Sequence, residues 1–435
     1  MPRVFSMKIL RYTDSDFAEN LSKLIRHSSF SPEIDASVAA ILADVKANGD
    51  EALCRYAEKF DHVSLTPEQF LIGDDEIAAA ERAISPEIKE AIQIAHEHIV
   101  SFSSQRLPKE WRYSPREGVT LGEKFTPLDK VACYVPGGTA PLISTVLHTV
   151  TMAQVAGVRE IVVVTPSGKD GKVNPAILYA SRVAGATKVY RLGGVYGVAA
   201  LAYGTQTISP VEKIVGPGNA YVTSAKRQLY GTVALDLVAG PSEILIIADH
   251  TARPDFIAAD LLSQAEHGSG REQAVLVTTD ESLIERVQTE LSRQMEQLPR
   301  IECISKVMEN GVFIIYVEDI KRACEIASMY APEHEEVMTE NPEALLPHLT
   351  AAGAIFLGQW TPEPIGDFVA GPSHVLPTGG SARYFSGLTV DMFFRRTSLL
   401  NYSEEAIKRE NRYAKAFADC EGLAGHGNSA MIRSK

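Results

Sequence analysis

The sequence predicts an α/β protein with two parallel-sheet units and smaller helical segments at its N- and C-terminal ends. Three observations carry this. From about Lys130 short β-branched runs alternate with helical stretches, as in βαβ units. Nearly every run ends in Gly or Pro, the turn chemistry found where open α/β sheets bind ligands. The alternation then starts again near Ile244, so two similar units are expected rather than one large sheet. A chain of 435 residues has room for both and for helical additions.

The elements follow in order. Asp35 is placed to cap a helix over 36–46, whose Val38, Ile41, Leu42 and Val45 share one face. Gly49-Asp50 breaks it, and 51–60 resumes helical spacing. A longer helical pattern over 77–102 is interrupted at Ser85-Pro86, with Pro86 suited to a first turn. The first sheet unit reads as strand 131–135, helix 144–156, strand 161–165, helix 175–184, strand 188–192, helix 198–203 and strand 213–215. The second reads as strand 244–248, helix 254–267, strand 273–278, helix 281–297, strand 313–317, helix 320–330 and strand 354–357. A charged helix over 403–420 ends at Gly422 and Gly425.

Composition excludes several classes. The net charge of −13 argues against a general nucleic-acid binder. Five scattered cysteines without a CxxC pair argue against a disulfide framework or a zinc ribbon, and fit a reducing compartment. The first twelve residues hold no secretory apolar run, and no window approaches 18 uncharged apolar residues. The expectation is a cytoplasmic protein without membrane or nucleic-acid partners.

The chemistry-bearing residues are dispersed. Gly193-Gly194-Val-Tyr-Gly197 and Gly216-Pro-Gly218-Asn219 resemble anion-binding turns, although neither is a GxGxxG and tight strand-to-helix turns explain them as well. No acidic residue follows a first strand at the spacing that binds a ribose. Gln264 and His267 sit i, i+3 on a helix face and could share a metal, though an ordinary helix end fits too. Glu333-His334 joins a carboxylate to an imidazole, as proton transfer requires, in what otherwise reads as a charged, solvated loop. Asp367 and His374 share a Gly/Pro-rich irregular stretch, and Glu421 and His426 lie in the tail.

Taken together, these segments resemble histidinol dehydrogenase. The matching text is Tyr134-Val-Pro-Gly-Gly-Thr-Ala-Pro141, Val215-Gly-Pro-Gly-Asn-Ala-Tyr-Val222 with Ala225-Lys-Arg227, and Ala239-Gly-Pro-Ser-Glu243. It continues through Asp260-Leu-Leu-Ser-Gln-Ala-Glu-His267, Tyr330-Ala-Pro-Glu-His334, Gly366-Asp367 and His374-Val-Leu-Pro-Thr378, over nearly the whole chain. The resemblance implies two incomplete Rossmann-like units that bind NAD without GxGxxG. It implies oxidation of L-histidinol through L-histidinal to L-histidine, in the last steps of histidine biosynthesis, with NAD and zinc. It assigns Gln264, His267, Asp367 and His426 to zinc, and Glu333 and His334 to acid/base catalysis. It assigns Tyr134, Tyr196 and Asn219 to NAD. Ser242, Gln264, His267, His334, Asp367, His374, Glu421 and His426 fall to the substrate. Glu421 and His426 would reach the partner subunit's site in a homodimer.

Three positions depart from the family pattern. Tyr196 stands where Gln is usual, Ser373 replaces an Asn before His374, and Glu335 replaces an apolar residue after Glu-His. Glu335 would raise the pKa of Glu333 or His334 if it pointed toward them. The expected division is an N-terminal segment 1–34, a first α/β domain from 35–130 plus 240–385, a second from 131–239, and a C-terminal segment 386–435. Two alternatives stand beside histidinol oxidation. One is a related dehydrogenase of another polar alcohol such as a sulfonated propanediol, which Glu421 would repel. The other is a non-catalytic two-domain ligand-binding protein, which would need neither the acid/base pair nor the metal set.

Overall fold

The computed structural model describes residues 7–25, 31–137, 141–238, 240–267 and 270–434. The first six residues, the 138–140 part of the loop after the first strand of the Lys130 unit, and Ala239 of the 239–243 motif lie outside these. The chain opens with β1 (Lys8–Arg11) and α1 (Phe17–Leu24), then α2 (Pro32–Asn48), α3 (Asp50–Tyr56), α4 (Asp74–Ala83) and α5 (Pro86–Ser104). Ser31, not Asp35, caps α2, accepting from the Ile34 N–H at 3.4 Å with Pro32 following. Asp35 pairs instead with Arg227. Ser85 caps α5 in the same way. The hairpin β2 (Trp111–Arg116) and β3 (Val119–Pro127) follows, unexpected from the sequence.

Next comes the alternation the sequence predicts: β4 (Lys130–Tyr134), α6 (Ile143–Val155), β5 (Glu160–Val164), α7 (Pro175–Ala184), β6 (Lys188–Tyr190), α8 (Gly194–Tyr203), β7 (Lys213–Val215), α9 (Ala220–Leu229) and β8 (Ala234–Leu235). These strands form a parallel sheet in the order β6-β5-β4-β7-β8. The second cycle runs β9 (Glu243–Ala248), α10 (Pro254–Ala265), β10 (Gln273–Thr278), α11 (Glu281–Met295), α12 (Ile301–Asn310), β11 (Val312–Tyr316), α13 (Ile320–Tyr330), β12 (His334–Met338) and β13 (Ala354–Leu357). With β1 it forms a second parallel sheet, β1-β11-β10-β9-β12-β13. In each cycle the first strand, β4 or β9, lies inside the sheet, the next strands build out on one side, and the chain then crosses to the other. The order therefore reverses between β4 and β7, and again between β9 and β12. After α14 (Glu363–Phe368) come β14 (Phe394–Tyr402), which pairs antiparallel with β3, then α15 (Glu404–Cys420) and α16 (Ala424–Met431).

The cores explain which helices attend which sheet. All six residues of β9 are buried, and after Glu243 they form the apolar run expected of a strand covered on both faces. Val38, Ile41, Leu42 and Val45 of α2 pack with α8, α9 and the Ala132/Tyr134 face of β4. Ile92, Ala95 and Ile99 of α5 pack with α6, α7 and the Val131/Cys133 face. The helices over 32–104 thus pack on the five-stranded sheet, and α5 also meets residues 369–375, with His98 Nδ1 2.9 Å from the Val369 carbonyl. β1 likewise belongs to the six-stranded sheet, not to a separate N-terminal segment. The five cysteines form no disulfide. Among the described residues no helix is long and apolar enough to cross a membrane.

Candidate functional site

Glu333-His334-Glu335-Glu336 is not a solvated loop. His334 opens β12, a strand buried over its whole length between β9 and β13. Its charged residues hid a core strand from pattern reading. The entry turn is constrained: Ala331 sits at φ 55°, a left-handed conformation uncommon for residues with a Cβ. The next turn is pinned by Gly353 N–H to Pro332 O at 2.9 Å and Ala354 N–H to Glu333 O at 2.9 Å. A Cβ on Gly353 would fall 2.5 Å from the Glu333 carbonyl, so only glycine permits this approach.

This turn delivers two buried groups to one point. Glu333 Oε2 accepts from the Glu243 N–H at 3.0 Å and lies 3.9 Å from His334 Nδ1. Burial pushes the Glu333 carboxyl up to about 7, against the opposing field of His334. His334 Nδ1 lies 3.1 Å from the Glu243 carbonyl, and Nε2 lies 3.3 Å from Asp367 Oδ1. Burial works to lower the imidazole pKa, but Glu333 and Asp367 outweigh it and push it up to about 10. Asp367 is held well below the usual carboxylate range, because His334 outweighs the effect of its own burial. Gly366 lets α14 press against Phe356, where a Cβ would meet the ring at 2.4 Å, and so brings Asp367 to His334.

Glu363 is a member the sequence reading missed. It is buried, hydrogen-bonds Asp367, and takes the Ser263 hydroxyl on Oε2 at 3.0 Å. The ligand atoms of His334, Glu363 and Asp367 all lie within 4.8 Å of one another. As an acid in the first turn of a short helix, Glu363 carried no signal beyond its proximity to Asp367. Gln264, near the end of α10, is fully buried, and neither amide atom has a hydrogen-bond partner among the described residues. Such an orphaned amide is costly unless a ligand completes it. His267 follows just past the helix; its side chain reaches solvent, yet desolvation lowers its pKa and it feels Asp367 and His334.

His374 Nε2 meets Thr145 Oγ1 at 3.2 Å and its ring stacks on His148 at 4.7 Å. Burial holds both imidazoles neutral, that of His148 down to about 3. Ser373 fastens this loop, donating to the His148 carbonyl at 3.4 Å and accepting from the Val375 N–H at 3.1 Å. Helix α6 therefore links the His374 loop to the five-stranded sheet. Ser242 precedes β9 with its hydroxyl on Glu333. Glu335 does not join the pair: alternation along β12 turns it with Val337 toward the α13 side, where burial alone pushes it up to about 8. The whole cluster lies at the amino edge of the six-stranded sheet, opposite to the carboxyl-edge position that the Gly/Pro endings suggested.

In the five-stranded sheet the expected carboxyl edge does carry the candidate residues. Tyr134 ends β4, is buried, and its hydroxyl accepts from the Gly194 N–H at 3.2 Å. Asn219 caps α9 through Oδ1, accepting from Tyr221 and Val222, which leaves its amide N–H groups for other partners. Gly216, at φ 110°, passes so close to β4 that a Cβ would lie 2.2 Å from the Tyr134 carbonyl. The buried Lys226–Asp236 pair holds that loop, with Lys226 on Gly216 O and Asp236 on Gly216 N. Tyr196 is fully buried and its hydroxyl is taken by Asp61 and by the Gly193 N–H. Glu421 and His426 are exposed in the tail, and no hydrogen bond or ion pair among the described residues joins them to the cluster.

The family model described as histidinol dehydrogenase matches residues 24–434. A histidinol dehydrogenase of Heliobacterium mobile is 46% identical over 92% of this chain and 93% of its own. One of Rhizobium meliloti is 45% identical over 98% of each. The crystal structure of histidinol dehydrogenase from Elizabethkingia anophelis superposes with a TM-score of 0.93 at 36% identity, covering 99% of this chain and 98% of that one. The chain belongs to the histidinol dehydrogenase family, a family of oxidoreductases.

Proposed function

We propose that the chain oxidises L-histidinol to L-histidine through L-histidinal, using NAD and zinc, in the last steps of histidine biosynthesis. The observation that carries this reading is the buried His334, set between Glu333 and Asp367 with one nitrogen fixed by a backbone carbonyl. The orphaned Gln264 amide supports a metal: Gln264, His267 and Asp367, with His426 of a second copy, supply two nitrogens and two oxygens, a reasonable zinc set. Zinc bound there would hold and orient the amino and imidazole nitrogens of the substrate. Tyr134, Asn219 and the Tyr196 region at the carboxyl edge of the other sheet suit NAD, beside a crevice where strand order reverses.

In this reading, with the Asp367 charge engaged by zinc, the His334 imidazole would be neutral, and its Nε2 would take the proton of the alcohol oxygen as the carbon bearing that oxygen gave up hydride to NAD. Glu333 would then take a proton from the water that adds to the aldehyde, and the hydrate would give a second hydride to a second NAD and lose a hydroxyl proton, leaving the carboxylate. Ser242, His374 and Glu421 contact the substrate. We further infer a cytoplasmic homodimer, since the tail that must complete the site exposes Leu400, Phe417, Leu423 and Ile432.

Purified protein with zinc should form about two NADH per L-histidinol, and a chelator should stop turnover. Turnover of a sulfonated propanediol in place of histidinol would overturn the substrate assignment.

A further inference from the structure

The crevice at the five-stranded sheet contains a carboxylate that no spacing rule locates. Asp61 comes from the single π-turn at Ala57–Asp61, far outside the sheet's own sequence. Its Oδ2 would lie 3.3 Å from a Cβ on Gly193, at the end of β6; the same Cβ would meet Pro166, just past β5, at 2.7 Å. The carboxylate therefore stands at the carboxyl edge of this sheet, by the loops that leave β5 and β6. In dinucleotide-binding folds that is where an acid receives ribose hydroxyls.

Its surroundings are built for a neutral, hydroxyl-rich ligand. The Gly193 and Gly194 N–H groups, which would otherwise attract a phosphate at the start of α8, are taken by the hydroxyls of Tyr196 and Tyr134. Tyr196 donates its own hydrogen to Asp61 Oδ2, and Oδ1 has no hydrogen-bond partner among the described residues. Past β5, Thr165 is fully buried and its Oγ1 has no hydrogen-bond partner among the described residues. A Cβ on Gly137 would come 3.3 Å from that oxygen, so the glycine keeps the space in front of it open.

We propose that Asp61 receives a ribose diol of the dinucleotide and that Tyr196 acts through it, as a positioning residue rather than as a direct contact. The proposal rests on the NAD reading above. It gives the departure at position 196 a role, because a tyrosine there reaches Asp61 and aims it. On the adenosine ribose it would also set a preference, because a 2′-phosphate there would meet the Asp61 charge.

Calorimetric titration of the zinc-loaded protein with NAD, NADP and two NAD analogues, each lacking the 2′-hydroxyl of one ribose, tests this without turnover. Asp61→Asn should weaken NAD binding by about ten- to a hundredfold, the loss typical of a hydrogen bond to a charged group. It should weaken binding of one deoxy analogue much less, and the analogue that is spared identifies the adenosine or the nicotinamide ribose. Tyr196→Phe should give a smaller loss in the same pattern. An Asp61→Asn protein that binds NAD as the parent does, or that loses NAD and both analogues equally, overturns the assignment. If the unaltered protein binds no NAD at all, the cofactor reading itself falls, and this proposal with it.

Discussion

His334 Nδ1 faces the carbonyl oxygen of Glu243 at 3.1 Å. A carbonyl only accepts, so Nδ1 must carry the hydrogen, and in the neutral ring Nε2 is the basic atom. Nε2 is the nitrogen on Asp367, at 3.3 Å. One backbone contact thus fixes the tautomer and the direction of the base. His334→Asn should slow histidinol oxidation by about two to four orders of magnitude, the usual worth of a positioned base, while zinc content stays at the parental level. Elemental analysis checks the second half. Loss of metal would make His334 a ligand, with Glu363 and Asp367.

Glu333 is assigned to the second oxidation, where water must lose a proton. Its pKa near 7, raised by burial, sets the sign: the ionised form is the base, so histidinal oxidation should fall as pH drops below about 7. Glu333→Gln should remove that limb and slow histidinal turnover more than histidinol turnover. Steady-state rates with each substrate from pH 6 to 9 would show it. An equal loss in both steps would contradict the role.

How much of this was legible in the sequence depends on how local each signal is. The 3.6 and 2.0 periodicities gave helix 320–330 and strands 213–215, 273–278 and 354–357 to the residue, because apolar burial writes them into consecutive positions. β12 was illegible: a buried strand spelled His-Glu-Glu satisfies no hydrophobic pattern, and its burial is imposed by β9 and β13. Gln264, His267, Asp367 and Glu333-His334 were assigned through family resemblance, since up to 103 positions (367 − 264) separate them in the sequence and no spacing rule spans that. Asp61 and Glu363 were missed for the same reason, with no motif to mark them.

Glu335 is fully buried, and neither carboxylate oxygen has a hydrogen-bond partner among the described residues. Burial holds its pKa near 8 in the folded chain against 4.5 as the ordinary value. The native state therefore keeps a proton that the unfolded chain releases above about pH 4.5. Stability from this group is lost as pH rises from about 5 to 8, by at most about 1.4 kcal/mol per pH unit. Glu335→Leu should raise the melting temperature, and the gain should grow across that window. Thermal melts at pH 5, 6.5 and 8 would reveal it; a gain independent of pH would place the effect in packing alone.

The tail supplies the last test. Glu421 and His426 are exposed, and no hydrogen bond or ion pair among the described residues joins them to the His334 cluster, so the proposed roles call for a second copy. In a twofold dimer each site would then combine Glu333 and His334 of one chain with His426 of the other. His334→Asn and His426→Ala proteins should each be nearly inactive. Refolded together in equal amounts, half the dimers would be mixed. Each mixed dimer would hold one site with both defects and one with neither, so activity should return to about a quarter of the parental value. Sedimentation before and after mixing confirms that dimers form. If His426 served its own chain, every site in the mixed dimers would carry one defect and no activity would return.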